Sequence, residues 1–428
     1  MRADHIDDGH RLTLASYQAE AGRSNKFDGI GDAAKQLCFG LFGEVGGLLS
    51  AVKKEHRDLT PADHFTVTEE LGDALWYLTM LGKALGHDLQ QVGLQALAEL
   101  QRRFALQRDS SHTELSFKEI DGLLAFCSAA VDKLERSNEL SKLGANAGRL
   151  LRVTGDTDLA DSPVDKLLAD VLADMTVIAA KCGQTLGAIA EANLEKISSR
   201  WPAPDTLHIP LFDEQMSALE QLPRMLEIHF IERSSPSGGS YVIQQLNGVN
   251  IGDRLTDNRH EEDGYRFHDV FHLAYLVHLG WSPVLRGLLK LKRKSDAKID
   301  ENEDGARAMI IEEGIATWIF NHALGHDLFA NVEQGRLEYG ILKQVKEMVR
   351  GYEVAACPLW QWERAILEGF AVFRDLYSHR GGVVTANLKD RTLTFRPAAT
   401  PPPQVAKGQA EKRPLLVTAV PPPEFADI

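Results

Sequence analysis

The sequence predicts a multidomain chain: two tandem all-α helical units, then a mainly helical α+β domain, then a disordered proline-rich tail. Three observations predict it. Apolar residues recur at three- and four-residue spacing from residue 10 to about 201. The helical stretch repeats itself at a constant offset, and prolines gather at two points of the chain. A length of 428 residues is also enough for roughly two to four domains.

Taken in order, the clearest apolar stripe is Val67, Leu71, Ala74, Leu78, Leu81 and Leu85, on a helix expected to start after the Thr66–Thr68 region. Pro202, Pro204 and Pro210 break the helical pattern and mark a linker. Beyond it, Leu226–Ile231 and Tyr241–Leu246 read as strands around the turn segment Ser234–Gly239. Helices are expected from about Gly264 to Tyr377. A second hairpin is expected from Val383–Leu388 and Thr392–Phe395, turning at Lys389 and Asp390. The last 32 residues, from Pro397, hold 8 of the 17 prolines, which favours polyproline II over a packed core. The expected domains are therefore 10–108, 115–202, 211–396 and the tail 397–428.

The repeat is read at an offset of 97. Gly86-His87-Asp88-Leu89, Leu97 and Arg103-Phe104 align with Gly183-Gln184-Thr185-Leu186, Leu194 and Arg200-Trp201, and Asp73 falls on Asp170. Gly43–Gly47 falls on Gly144–Gly148 once four residues are removed from the loop between. Two copies of one three- or four-helix unit are expected.

Composition narrows the function. Lys and Arg total 47 against 61 Asp and Glu, a net charge of -14. So acidic a chain is poorly suited to nucleic-acid backbones or anionic membranes, and needs metal cations to handle phosphates. Cys38, Cys127, Cys182 and Cys357 are far apart and form no CxxC pair, which argues against disulfides and thiolate zinc and fits a reducing compartment. Met1–His10 has no apolar signal core, and no apolar run is long enough to span a bilayer. A cytoplasmic protein with no membrane partner is expected.

The first copy carries Glu44 and, later, Glu69, Glu70 and Asp73. Glu70 and Asp73 are three apart and share a helix face, while Glu44 comes from the preceding helix. Carboxylates projecting inward from facing helices suit Mg²⁺ or Mn²⁺. An isolated ExxD is no signal, because most acids sit on solvated faces.

In context, this arrangement resembles the MazG-like all-α nucleoside triphosphate pyrophosphohydrolases, whose motif is ExxE, a spacer, then ExxD. The matching residues are Glu44, Glu70 and Asp73, within a resemblance over residues 30 to 104 that includes EELGDALWYL at 69–78. Gly47 stands where the family has its second Glu, so Glu69 or Asp63 substitutes, or one ion fewer is bound, or the site is inactive. In the second copy Ala145 and Leu167 replace Glu44 and Glu70, leaving Asp170. That copy ends with Asn193, Lys196 and Arg200, similar to the family's closing nucleotide-contacting pattern, where the first copy has Ala96, Glu99 and Arg103. Copy one would hold metal and copy two would supply amide and cationic contacts. Lys54 is a further expected substrate contact.

The resemblance implies a nucleoside triphosphate substrate cleaved between its α- and β-phosphates to a monophosphate and pyrophosphate, with Mg²⁺ or Mn²⁺ as cofactor. A homo-oligomer is left open. The absence of any GxxxxGK[ST] excludes P-loop phosphate binding. The rival reading is a non-catalytic nucleotide sensor, motivated by Gly47 and the eroded second copy.

The third domain holds His268-Asp269-Val-Phe-His272, and 44 residues past His268 the pair Glu312-Glu313. Imidazoles four apart on a helix reach one metal. A carboxylate from a second helix resembles the third ligand of HExxH-type zinc hydrolases, with Asp269 in place of their general-base Glu. The set gives a candidate Zn²⁺ or other transition-metal site, in which one of Glu312 and Glu313 ligates and the other supports it, and hence a third reading as a metallohydrolase. The His-Asp doublet also resembles HD-type phosphohydrolases, though their upstream His and downstream Asp are not found. The bland alternative is a pair of hydrogen-bonded core histidines. The region is also similar to the domain that follows MazG-like modules in longer bacterial proteins. The basic run Lys290, Lys292, Arg293, Lys294 reads as a solvated helix end or a phosphate contact, and Trp360, Trp362 and Phe370 as core.

Overall fold

The computed structural model describes residues 12–58, 64–106, 114–155, 163–235 and 238–398. The expected tail from residue 399 onward and Asp63 lie outside these described residues. The chain divides after Trp201 into two compact units.

The N-terminal unit is helical: α1 (Leu14–Gly22), α2 (Ala33–Asp58), α3 (His64–Ala84), α4 (Leu89–Arg103), α5 (Phe117–Phe126), α6 (Ser128–Asp132), α7 (Arg136–Gly155), α8 (Val164–Lys181) and α9 (Leu186–Arg200). The helix expected after Thr66–Thr68 begins a turn earlier, at His64. The repeat is visible in the local chemistry. α4 and α9 start and stop at positions 97 apart. Each follows a left-handed glycine, Gly86 and Gly183. Each is then capped by a side-chain oxygen: Asp88 accepts from the Gln91 amide at 2.7 Å and Thr185 from the Ala188 amide at 3.2 Å. Thr79 and Thr176 donate to the carbonyls four residues back, at 2.7 and 2.8 Å. The caps of α1 and α5, Thr13 and Ser116, pair with each other in an antiparallel bridge.

The two copies interleave. α4 packs on α8 and α9 packs on α3, so each copy's closing helix lies against the other copy's acid-bearing helix. α2 packs on both α3 and α7. Leu71, Leu75, Leu78 and Leu81 of α3 share one core with Leu168, Leu172 and Met175 of α8. Burial of each such side chain contributes about 1.5–3 kcal/mol. That core fixes the register in which α9 presents its polar face to α3.

The C-terminal unit is a five-stranded antiparallel sheet with helices. Its elements are β1 (Met225–Ser234), β2 (Ser240–Leu246), β3 (Val249–Leu255), α10 (Asp269–Leu279), α11 (Pro283–Leu289), α12 (Ala297–Asn302), α13 (Ala306–Leu324), α14 (Tyr339–Met348), α15 (Leu359–His379), β4 (Gly381–Asn387) and β5 (Thr392–Arg396). The sheet order is β3-β2-β1-β4-β5. Both expected hairpins are present. β3 lies outside the expected strands: it is a mostly exposed edge strand whose alternation of Val249, Ile251 and Leu255 is interrupted by Gly252 and Asp253.

Every residue of α10 is buried, the mark of a core helix, and it packs on α15, β4 and β5. The turn that leads into α10 is tied to the sheet by a buried Arg266, which donates to Glu232 on β1 at 2.8 Å and to Asp257 at 2.6 Å. Gly264 opens that turn at φ +89°, where an added Cβ would meet the Tyr377 ring at 2.5 Å. Arg293, expected at a solvated helix end, is instead fully buried between Asp304 at 2.7 Å and Glu353 at 2.6 Å. Trp360, Trp362 and Phe370 are buried, as expected. No helix among the described residues is long and apolar enough to cross a membrane.

Candidate functional site

In the N-terminal unit, α2 carries Glu44, α3 carries Glu69, Glu70 and Asp73, and α9 carries Asn193 and Lys196. The packing of α9 on α3 brings these together. The Lys196 ammonium lies 2.5 Å from Asp73 Oδ2 and 3.4 Å from Glu69 Oε1. The Asn193 amide donates to Asp73 Oδ1 at 3.2 Å, and its oxygen accepts from the Tyr17 hydroxyl at 2.8 Å. Tyr17 is a contributor that no sequence motif flagged.

Burial pushes the Glu44 carboxyl up to about 7, with help from the neighbouring charges of Asp73 and Glu70 and a hydrogen bond with Glu70, against the pull of Lys196. Glu44, Glu69, Glu70 and Asp73 thus gather around the Lys196 ammonium, and carboxylate oxygens are the kind of donor that hard divalent cations take. The Tyr77 hydroxyl is likewise raised by burial, Glu44 and Asp73, and lowered by Arg200, which places the Arg200 charge near the same acids. Lys54 is exposed, ten residues beyond Glu44 on α2. That places it about 15 Å from Glu44 along the helix axis.

Gly47 takes on a different meaning in three dimensions. A Cβ built there would sit 2.1 Å from Glu70 Oε2. The space beside Gly47 therefore holds the Glu70 carboxylate.

The equivalent place in the second copy is internally neutralised. Arg103 donates to Glu99 at 2.8 Å and to the buried Asp174 at 2.6 Å, and Asn146 donates to Asp174 at 2.7 Å. Arg102 first, and Arg103 beside it, hold Glu99 down at about 2 against an opposing effect of burial. One place thus gathers Glu44, Glu69, Glu70 and Asp73 with Lys196, and the other pairs Glu99 and Asp174 directly with Arg103.

In the C-terminal unit, His268 and His272 stand at the start of α10, and Glu312 and Glu313 stand on α13. His268 Nδ1 lies 2.8 Å from the Tyr265 carbonyl, and His272 Nδ1 lies 2.8 Å from Glu312 Oε1. Glu312 is fully buried and also accepts from Ser282 Oγ at 2.7 Å and the Val284 amide at 2.8 Å. Glu313 lies on the opposite side of His272, with Oε1 3.5 Å from Nε2, and its other oxygen is 3.7 Å from His268 Nε2. Asp269 Oδ1 is 3.0 Å from His268 Nε2, and its second oxygen accepts from Gln244 on β2. Burial alone would lower the His272 pKa, but Glu312 and Glu313 together raise it above the usual histidine range. A second group, His322, His326 and Glu338, has the same four-residue histidine spacing and lies on a more exposed surface. That spacing was readable in the sequence.

With this geometry in place, residues 207–399 match the family described as the MazG C-terminal domain. The C-terminal unit thus carries a MazG-associated domain. The match does not extend to the N-terminal unit. No curated protein and no solved structure matches the chain.

Proposed function

We propose that the N-terminal unit is a divalent-metal-dependent nucleotide pyrophosphohydrolase with one competent site per chain. The observation that carries this reading is the meeting of Glu44, Glu70 and Asp73 from one copy with Asn193 and Lys196 from the other. The three carboxylates would hold Mg²⁺ or Mn²⁺, which when bound neutralises the triphosphate and acidifies the attacking water. Lys196 sits on the rim of the acid cluster, where its ammonium can turn from Asp73 to a phosphate oxygen and stabilise charge on the departing pyrophosphate. Asn193, held by Tyr17, fixes the orientation of Asp73. Glu44, poised near 7, releases its proton as a cation enters and returns to the neutral form as the cation leaves. The MazG-associated C-terminal domain supports the same assignment.

The test is pyrophosphate release from a panel of ribo- and deoxynucleoside triphosphates with Mg²⁺ or Mn²⁺, in the wild type and in Glu70→Gln. Release that disappears in the variant, with the helical fold retained, supports the reading. Release that is unchanged in the variant overturns the site. Nucleotide binding without turnover in the wild type would make the unit a sensor.

A further inference from the structure

We propose that the C-terminal unit holds a first-row transition-metal ion through His268 Nε2, His272 Nε2 and Asp269, with a fourth position open to an oxygen ligand beside Glu313. Three observations carry it. The first is the tautomer: both Nδ1 atoms already face acceptors, a carbonyl for His268 and Glu312 for His272. Both Nε2 atoms are thereby left to face the carboxylates of Asp269 and Glu313, where a metal would replace the Nε2 protons, the arrangement that outer-shell carboxylates and carbonyls impose on metal-binding imidazoles.

The second is an unpartnered atom. His272 is fully buried, yet among the described residues its Nε2 has no well-formed hydrogen bond, with Glu313 Oε1 standing off at 3.5 Å. The third is spacing. Donor atoms of His268, Asp269 and His272 all lie within 4.8 Å of one another. Ligands about 2.0–2.1 Å from a tetrahedral ion lie about 3.3 Å apart. His268 Nε2 and Asp269 Oδ1 are 3.0 Å apart, near that value, and the Glu313 oxygens lie 3.5 and 3.7 Å from the two Nε2 atoms, beside the open position.

The roles follow from position. Glu312 cannot ligate, because both its oxygens are taken by His272, Ser282 and Val284; it is a positioning residue that holds the His272 ring. Gln244 does the same for Asp269. His268, His272 and Asp269 are all buried, whereas the Glu313 side chain is 43% exposed, so the centre meets solvent on the Glu313 side. Two imidazoles, one carboxylate and an open position form a ligand set for Zn²⁺ or Fe²⁺ that binds water or an oxyanion.

The experiment uses the full chain, stripped with chelator and then titrated with Co²⁺, with metal content measured and visible absorption recorded. One tight equivalent with d–d absorption is expected, with a spectral change on adding azide as the probe of the open position. The bound ion should be lost in His268→Gln and His272→Gln, retained in Glu70→Gln, and bound about 10–100-fold more weakly in Glu312→Gln. Circular dichroism checks folding; should His272→Gln fail to fold, His268→Gln carries the test. Absence of a tight equivalent, its persistence in His268→Gln, or a spectrum indifferent to azide overturns the proposal, the first of these leaving His272 and Glu312 as a buried structural ion pair.

Discussion

Replacing Gly47 by alanine separates two meanings of this glycine. If Gly47 is only a lost ligand, an alanine there changes nothing at the acids. If it is the space that Glu70 occupies, the added methyl meets Glu70 Oε2 at 2.1 Å, more than 1 Å inside an ordinary contact. The intruding neighbour is the tip of a flexible side chain, so the clash is relieved by swinging Glu70 into another rotamer, at about 0.5–1.5 kcal/mol. Alanine in place of glycine within a helix returns about 1 kcal/mol. The two nearly cancel, and the melting temperature should move by no more than a few degrees. Activity should not be spared, because displacing a reacting group by about 1 Å costs on the order of 100-fold. The assay pairs thermal denaturation with pyrophosphate release across a Mg²⁺ titration. An unchanged fold with activity down about 100-fold and a raised Mg²⁺ requirement is expected. Wild-type activity in Gly47→Ala would refute the reasoning, and Gly47→Glu should be at least as damaging.

Lys196→Gln removes the ammonium between Asp73 and Glu69; Mg²⁺ binding to the free protein should hold or tighten, while kcat/KM falls at least about tenfold, read by calorimetry and steady-state kinetics. Glu44 has a folded pKa raised to about 7 from an ordinary 4.5, so its contribution to stability is full below 4.5 and is lost as pH rises through 7. Metal-free protein should therefore lose stability between pH 4.5 and about 7 and level off above that, the loss should shrink in Glu44→Gln, and Mg²⁺ affinity should fall as pH drops below 7, all read by melting curves with and without Mg²⁺. Arg103→Met leaves the buried Asp174 without its cationic partner, with only the Asn146 amide donating to it among the described residues, and should cost about 3 kcal/mol by denaturant titration, with turnover per folded molecule unchanged.

The tandem repeat was legible because its markers are local: a left-handed glycine, a capping oxygen and an apolar stripe recur at Gly86 and Gly183, Asp88 and Thr185. The crossing of α9 onto α3 was not legible, since a helix's periodicity says which face is buried but not which helix covers it. Asn193 and Lys196 were therefore picked out by resemblance, and their placement on Asp73 came from packing. Gly47 was read as an absence because sequence does not show volume. Glu312 and Glu313 were recognised as dividing one role between them, but only the Ser282 and Val284 contacts show which of the two is turned inward. Strand β3 was not legible because Gly252 and Asp253 interrupt the short alternation of Val249, Ile251 and Leu255 on an exposed edge.

The central claim is tested most directly by the products formed from a nucleoside triphosphate with Mg²⁺, resolved by phosphorus NMR. Pyrophosphate and nucleoside monophosphate are expected in equal amounts from the wild type, and neither from Glu70→Gln. Orthophosphate with nucleoside diphosphate, or pyrophosphate at the same rate from Glu70→Gln, would contradict it.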